Sequence, residues 1–129
     1  MGEMLFQAHS GLRYLVLLAA LVALVLLALV RFGGRPLGGG ARASSAIFTG
    51  LLDLQVLLGL GVLATRPYYP ALIGHIVMMV LALAAAHGLR VGAKRAATEE
   101  RRVTLLLVAI VLPLVLVVGG ILAIGRPLL

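Results

Sequence analysis

The 129-residue chain contains no cysteine and no tryptophan, only four carboxylates, and charged residues amounting to 12% of its length. Without cysteine there can be no disulfide, no iron–sulfur cluster and no thioether-attached haem. Without tryptophan, and with Asp53 the one carboxylate inside an apolar stretch, a four-helix proton-coupled exporter of cationic drugs is a poor match, because such a carrier needs an accessible acid and a cation pocket. The scarcity of charge excludes a soluble domain of ordinary make-up, which carries about 25% charged residues.

What the chain has in abundance is apolar sequence: 63% hydrophobic residues and a mean hydropathy of +1.20. Four stretches, Leu12 to Val30, Ala46 to Ala64, Ala71 to Leu89 and Val103 to Ile124, approach the roughly 20 residues a helix needs to cross hydrocarbon. The expected fold is therefore an all-α membrane protein, a single up-down four-helix transmembrane bundle with spans at about 8–31, 46–65, 71–92 and 103–124. The first stretch does not read as a cleavable signal, because Glu3 stands where a basic n-region belongs and the run exceeds an h-region of about 7 to 15 residues.

Basic residues set the orientation. Arg31, Arg35 and Arg42 fall in the first connection and Arg90, Lys94, Arg95, Arg101 and Arg102 in the third, eight of the eleven Lys and Arg. These two connections are expected on the cytoplasmic side, which gives an N-out, C-out protein of the bacterial cytoplasmic (inner) membrane. The basic runs read as topology signals touching anionic lipid rather than a nucleic-acid patch, since no aromatic residue interleaves them. GGRPLGGG, from Gly33 to Gly40, reads as a turn in which Pro36 stops the first helix. It lacks the Lys-Ser/Thr pair of a phosphate loop. Pro113 is expected to bend the fourth helix and free the Ala109 carbonyl.

A polar side chain inside a span is costly and calls for a named partner. His9, Arg13, Asp53, Gln55, His75 and His87 are the candidates. His9 and His75, 66 residues apart, each stand early in a helix of the same direction. Two such histidines suit an axis along the membrane normal, with a ligand held between two hairpins. Facing imidazoles provide the two axial nitrogens of a haem b iron, and surrounding apolar residues, Met79 and Ala82 among them, would bury the macrocycle. Arg13 and Arg66 are placed to pair with carboxylates such as the haem propionates, and Tyr14, Tyr68 and Tyr69 to donate hydrogen bonds at the same interface or to form an aromatic belt.

Depth tests this pairing. His9 lies 22 residues before Arg31 and His75 lies 15 before Arg90, which is about 33 Å against about 22 Å of helix. The two depths agree only if the third helix runs on toward Arg95. A second constellation, Asp53 with His87, is expected nearer the cytoplasmic side, where a His–Asp hydrogen bond satisfies both groups, relays protons or orients His87 as a metal ligand. His75 and His87 are twelve residues apart, about 120° around one helix, so one metal does not readily use both.

The stretches HSGLRYLVLLA (His9 to Ala19), LQVLLGL (Leu54 to Leu60) and GHIVMM (Gly74 to Met79) resemble those of small bacterial four-helix membrane proteins. More remotely, the layout is similar to the four-helix haem-binding halves of haem A synthase and other membrane b-type cytochromes. The resemblance implies His9 and His75 as ligands and Arg13 as their polar neighbour. It departs at Asp53, where the similar sequences tend to have a histidine before the Gln-x-Leu-Leu-Gly-Leu segment, which puts a ligand role for the second helix in doubt.

Three functions stay open at this point. The first is a b-type haem protein that moves electrons or hosts haem in a larger respiratory or photosynthetic assembly. The second is a structural accessory subunit, packed by its apolar faces against a larger complex or its own copies. The third is a copper site, with Met4, Met78 and Met79 adding soft thioethers to His9 and His75. No nucleophile, base and oxyanion-stabilising set points to a stand-alone enzyme.

Overall fold

The computed structural model describes residues 2–126. Four helices account for nearly all of them: α1 (Gly2–Gly33), α2 (Gly39–Thr65), α3 (Leu72–Lys94) and α4 (Glu99–Ala123). All four are long and apolar enough to cross a membrane. Each overruns its apolar stretch, since a polar flank still completes helical hydrogen bonds outside the hydrocarbon. α1, at 32 residues, is about 48 Å long, more than the roughly 30 Å hydrocarbon core, and must tilt or project beyond it.

Local chemistry sets the helix ends. Thr98 caps α4, its hydroxyl accepting from the Arg101 amide at 3.1 Å, and Glu99 and Glu100 occupy the dipole-favoured first turn. At the other end Gly125 takes φ +71°. Its amide reaches the Leu122 carbonyl at 3.0 Å and the Arg126 amide reaches Ile121 at 3.4 Å, a glycine-dependent stop. α1 ends at Gly33, three residues before Pro36, where Gly34 also has φ +71°. α4 continues through Pro113, which is buried.

The packing follows small residues. Val16, Ala20, Ala23 and Leu27 recur every three or four positions along α1 and are fully buried. On α3 the inward positions are Met79, Ala82, Ala86 and Ala93, whose short side chains let α4 approach closely with Val103, Leu106, Ile110 and Val117. The remaining faces are equally apolar: Leu15, Leu18, Leu21 and Val25 on α1 and Val111, Leu112 and Val115 on α4 are exposed. A surface of this kind is stable against lipid and not against water.

Side-chain contacts tie the ends together. Gly2 lies against Thr65 and Gly40 faces Leu26, so α1 and α2 run against each other. Gly74 meets Ala123 and Gly92 meets Leu105, which does the same for α3 and α4. Arg31 links the two hairpins, pairing with Glu100 at 2.9 Å and donating to the Thr104 hydroxyl at 3.2 Å. α1 packs on α2 and α4, α3 packs on α4, and α2 touches α3 only lightly.

Candidate functional site

His9 and His75 come together. Their ring centroids are 6.2 Å apart with the planes at 89°, although the α1 and α3 backbones do not themselves approach. The depth conflict between them vanishes because α3 runs to Lys94. Each ring is fastened to its own hairpin partner by the same kind of bond. His9 Nδ1 lies 3.0 Å from the Gln55 carbonyl and His75 Nδ1 lies 2.9 Å from the Gly120 carbonyl, spanning 46 and 45 residues of chain. A carbonyl oxygen only accepts, so each Nδ1 is the protonated, donating nitrogen. In the neutral rings this leaves both Nε2 atoms with a lone pair, the form in which imidazole binds metals.

Two glycines lie beside these rings. A Cβ on Gly59 would stand 3.0 Å from His9 Cε1, and a Cβ on Gly120 would stand 2.5 Å from Met79 Cε and 3.4 Å from His75 Nδ1. The close approach of His9 to α2 therefore depends on the missing side chain, whereas at Gly120 the tight contacts would be with Met79 and Met78 and His75 lies at ordinary van der Waals distance. Gln55 adds a return bond, its Nε2 donating to the His9 carbonyl at 2.7 Å. As small residues within spans both glycines permit close helix contact, but the sequence does not say which side chain passes over each.

The rings border a cavity of about 340 Å³ lined chiefly by leucine, valine and isoleucine from all four helices. Of the residues singled out in the sequence, Arg13, Arg66, Met79 and Tyr69 line it, and Tyr14, Tyr68 and Ala82 do not. Ala82 is fully buried against the helix core, whereas Tyr14 is exposed, accepting from Arg13 Nη2 at 3.0 Å under a cation–π contact of 4.9 Å. Of the methionines proposed for copper, Met79 alone lines the cavity, and Met4 is exposed.

Arg126 is a lining residue that the sequence did not single out. It and Arg66 both lie over the ring of Phe6, at 4.7 and 4.2 Å, so one aromatic face gathers two guanidinium groups from distant parts of the chain. With Arg13 they make three cations in the lining, which among the described residues contains no carboxylate. Two buried atoms here lack a hydrogen-bond partner among the described residues, Arg13 Nε and Gln55 Oε1. Unsatisfied buried polar atoms on the wall of a cavity fit a polar occupant.

Asp53 and His87 form a separate pair. His87 Nε2 donates to Asp53 Oδ1 at 2.7 Å, linking α2 and α3, and both side chains are about half exposed, at 45% for Asp53 and 53% for His87. Neither lines the cavity. Among the described residues no three His, Asp or Glu side chains converge as a metal cage. Comparison with protein-family models, curated proteins and solved structures finds no match.

Proposed function

We propose that this chain is a b-type haem-binding membrane protein, an electron-transfer or haem-hosting subunit of a larger respiratory or photosynthetic assembly. Its four spans form an up-down bundle in the bacterial cytoplasmic membrane with both termini outside. The observation that carries this reading is the twin fastening of His9 and His75: both Nδ1 atoms donate to carbonyls and the ring centroids lie 6.2 Å apart. At that separation His9 and His75 would both be close enough to hold one metal ion through their ring nitrogens. Two side-chain ligands would suffice for a metal whose remaining positions a macrocycle fills.

The chain's own residues then have distinct tasks. His9 and His75 offer Nε2, and their Nδ1 bonds raise the basicity of the ligating nitrogen and hold each ring against rotation. Arg13, Arg66 and Arg126 supply fixed positive charge for an acidic rim such as the propionates, with Arg13 Nε lacking a hydrogen-bond partner among the described residues. Apolar side chains such as Val16, Leu52 and Ile121 exclude water from the centre. Bound haem supplies reversible one-electron chemistry at a potential set by its ligands and burial.

The test is the absorption spectrum of detergent-purified protein made with haem available. A Soret band that shifts on dithionite reduction, with iron in the sample, is expected, and His75→Ala abolishes it. A colourless protein recovered only with a partner complex identifies the structural subunit instead. Copper without iron identifies a His9, His75 and Met79 copper site.

A further inference from the structure

At the opposite end of the molecule from the histidine cavity, a second concavity of about 330 Å³ lies between the start of α2, the end of α3 and the start of α4. Arg42, Arg90, Lys94 and Arg102 line it, together with Ser45. No carboxylate is in the lining, and among the described residues none of the four cations makes an ion pair. The acid on the nearby first turn that does pair, Glu100, is held by Arg31.

Two of the guanidinium groups are held in place by the protein. Arg102 donates through Nε to the Ala93 carbonyl at 3.2 Å and through Nη2 to the Ala96 carbonyl at 3.4 Å. Arg90 donates through Nη1 to the Ser45 hydroxyl at 3.1 Å. Each guanidinium has five N–H donors in a fixed fork, so both keep donors for an incoming oxyanion. Arg42 and Lys94 are exposed and flank them. Four like charges gathered without a counter-charge among the described residues repel one another, and a bound anion relieves the arrangement.

From these residues we propose that the cleft binds the phosphate of an acidic phospholipid. The cleft sits where three spans leave the hydrocarbon, the level at which lipid phosphates lie, and basic pockets between membrane helices take such headgroups. A phosphate accepts from guanidinium forks in bidentate fashion, while the acyl chains lie along the apolar outer faces of the helices.

The experiment uses the full chain, delipidated in neutral detergent and titrated with phosphatidylglycerol, phosphatidylcholine or sodium phosphate. Retained lipid is read by native mass spectrometry and the midpoint of thermal unfolding is followed in parallel. Phosphatidylglycerol is expected to be retained and to raise the midpoint, with phosphatidylcholine doing neither. Replacing the two flanking cations, Arg42→Gln with Lys94→Gln, is expected to weaken phosphatidylglycerol binding about tenfold. Neither side chain makes a hydrogen bond or ion pair within the described protein, so the fold is preserved. Arg95→Gln with Arg101→Gln removes the same charge outside the cleft and is expected to leave the affinity within about twofold. Equal loss in both pairs reduces the effect to diffuse charge and overturns the site. Equal retention of phosphatidylcholine also overturns it, and protection by sodium phosphate alone assigns the cleft to a soluble anion instead of a lipid.

Discussion

An imidazole that lies against another helix is controlled as much by what that helix omits as by what it offers. Gly59→Ala puts a methyl group 3.0 Å from His9 Cε1, and the ring can yield only by straining its bond to the Gln55 carbonyl. The expected result is a loss of about 1–3 kcal/mol of stability in detergent unfolding, together with weaker haem retention and a displaced Soret band. Gly61→Ala, whose methyl would meet only the flexible end of Leu5 at 3.3 Å, serves as the control and is expected to keep the band. His9 and His75 were legible in the sequence because ionisable side chains in spans are rare and their chain positions are equivalent. The side chains that Gly59 and Gly120 face, and the place of Arg126 in the cavity wall, were not. The importance of these residues comes from partners on other helices, and glycine among apolar residues carries no signal of what passes over it.

Helix ends, unlike helix faces, follow from short-range chemistry. Thr98→Ala removes the hydroxyl that accepts from the Arg101 amide and is expected to cost about 1 kcal/mol. Arg31→Ala breaks a half-exposed ion pair and a hydroxyl contact and is expected to cost less than about 1 kcal/mol. Thermal unfolding of the two variants in the same detergent checks the ranking. The turn glycines and Pro36 marked where α1 stops, and the four spans followed from hydropathy. The inward faces were harder to read, because the outward ones carry leucine and valine just as densely and periodicity alone does not tell lipid from core. The run Ala82 to Ala86 on α3 lies on both sides of the helix, with Ala82 and Ala86 buried and Ala84 exposed, so small size did not by itself mark the side that α4 approaches.

For the whole molecule, the uneven distribution of Arg and Lys leads to the expectation that both termini face away from the cytoplasm. Fusing alkaline phosphatase to either end is expected to give an active enzyme, and green fluorescent protein at the same ends is expected to stay dark. The reverse pattern overturns the orientation while leaving the histidine geometry untouched. On this scale the sequence foretold four apolar helices, each long enough to span a membrane. It also brought Asp53 and His87 together, and they meet at 2.7 Å. That this pair lies apart from the cavity depends on how α2 and α3 are rotated, which chain spacing does not contain.

Each imidazole is anchored within its own hairpin, His9 through Gln55 and His75 through Gly120, and the direct ring contact bridges the two halves. A metal taken up there would act as a rivet between two helical pairs that can enter the bilayer one after the other. Pigment would then mature only once the second pair has docked on the first, and colour would measure assembly as well as cofactor supply.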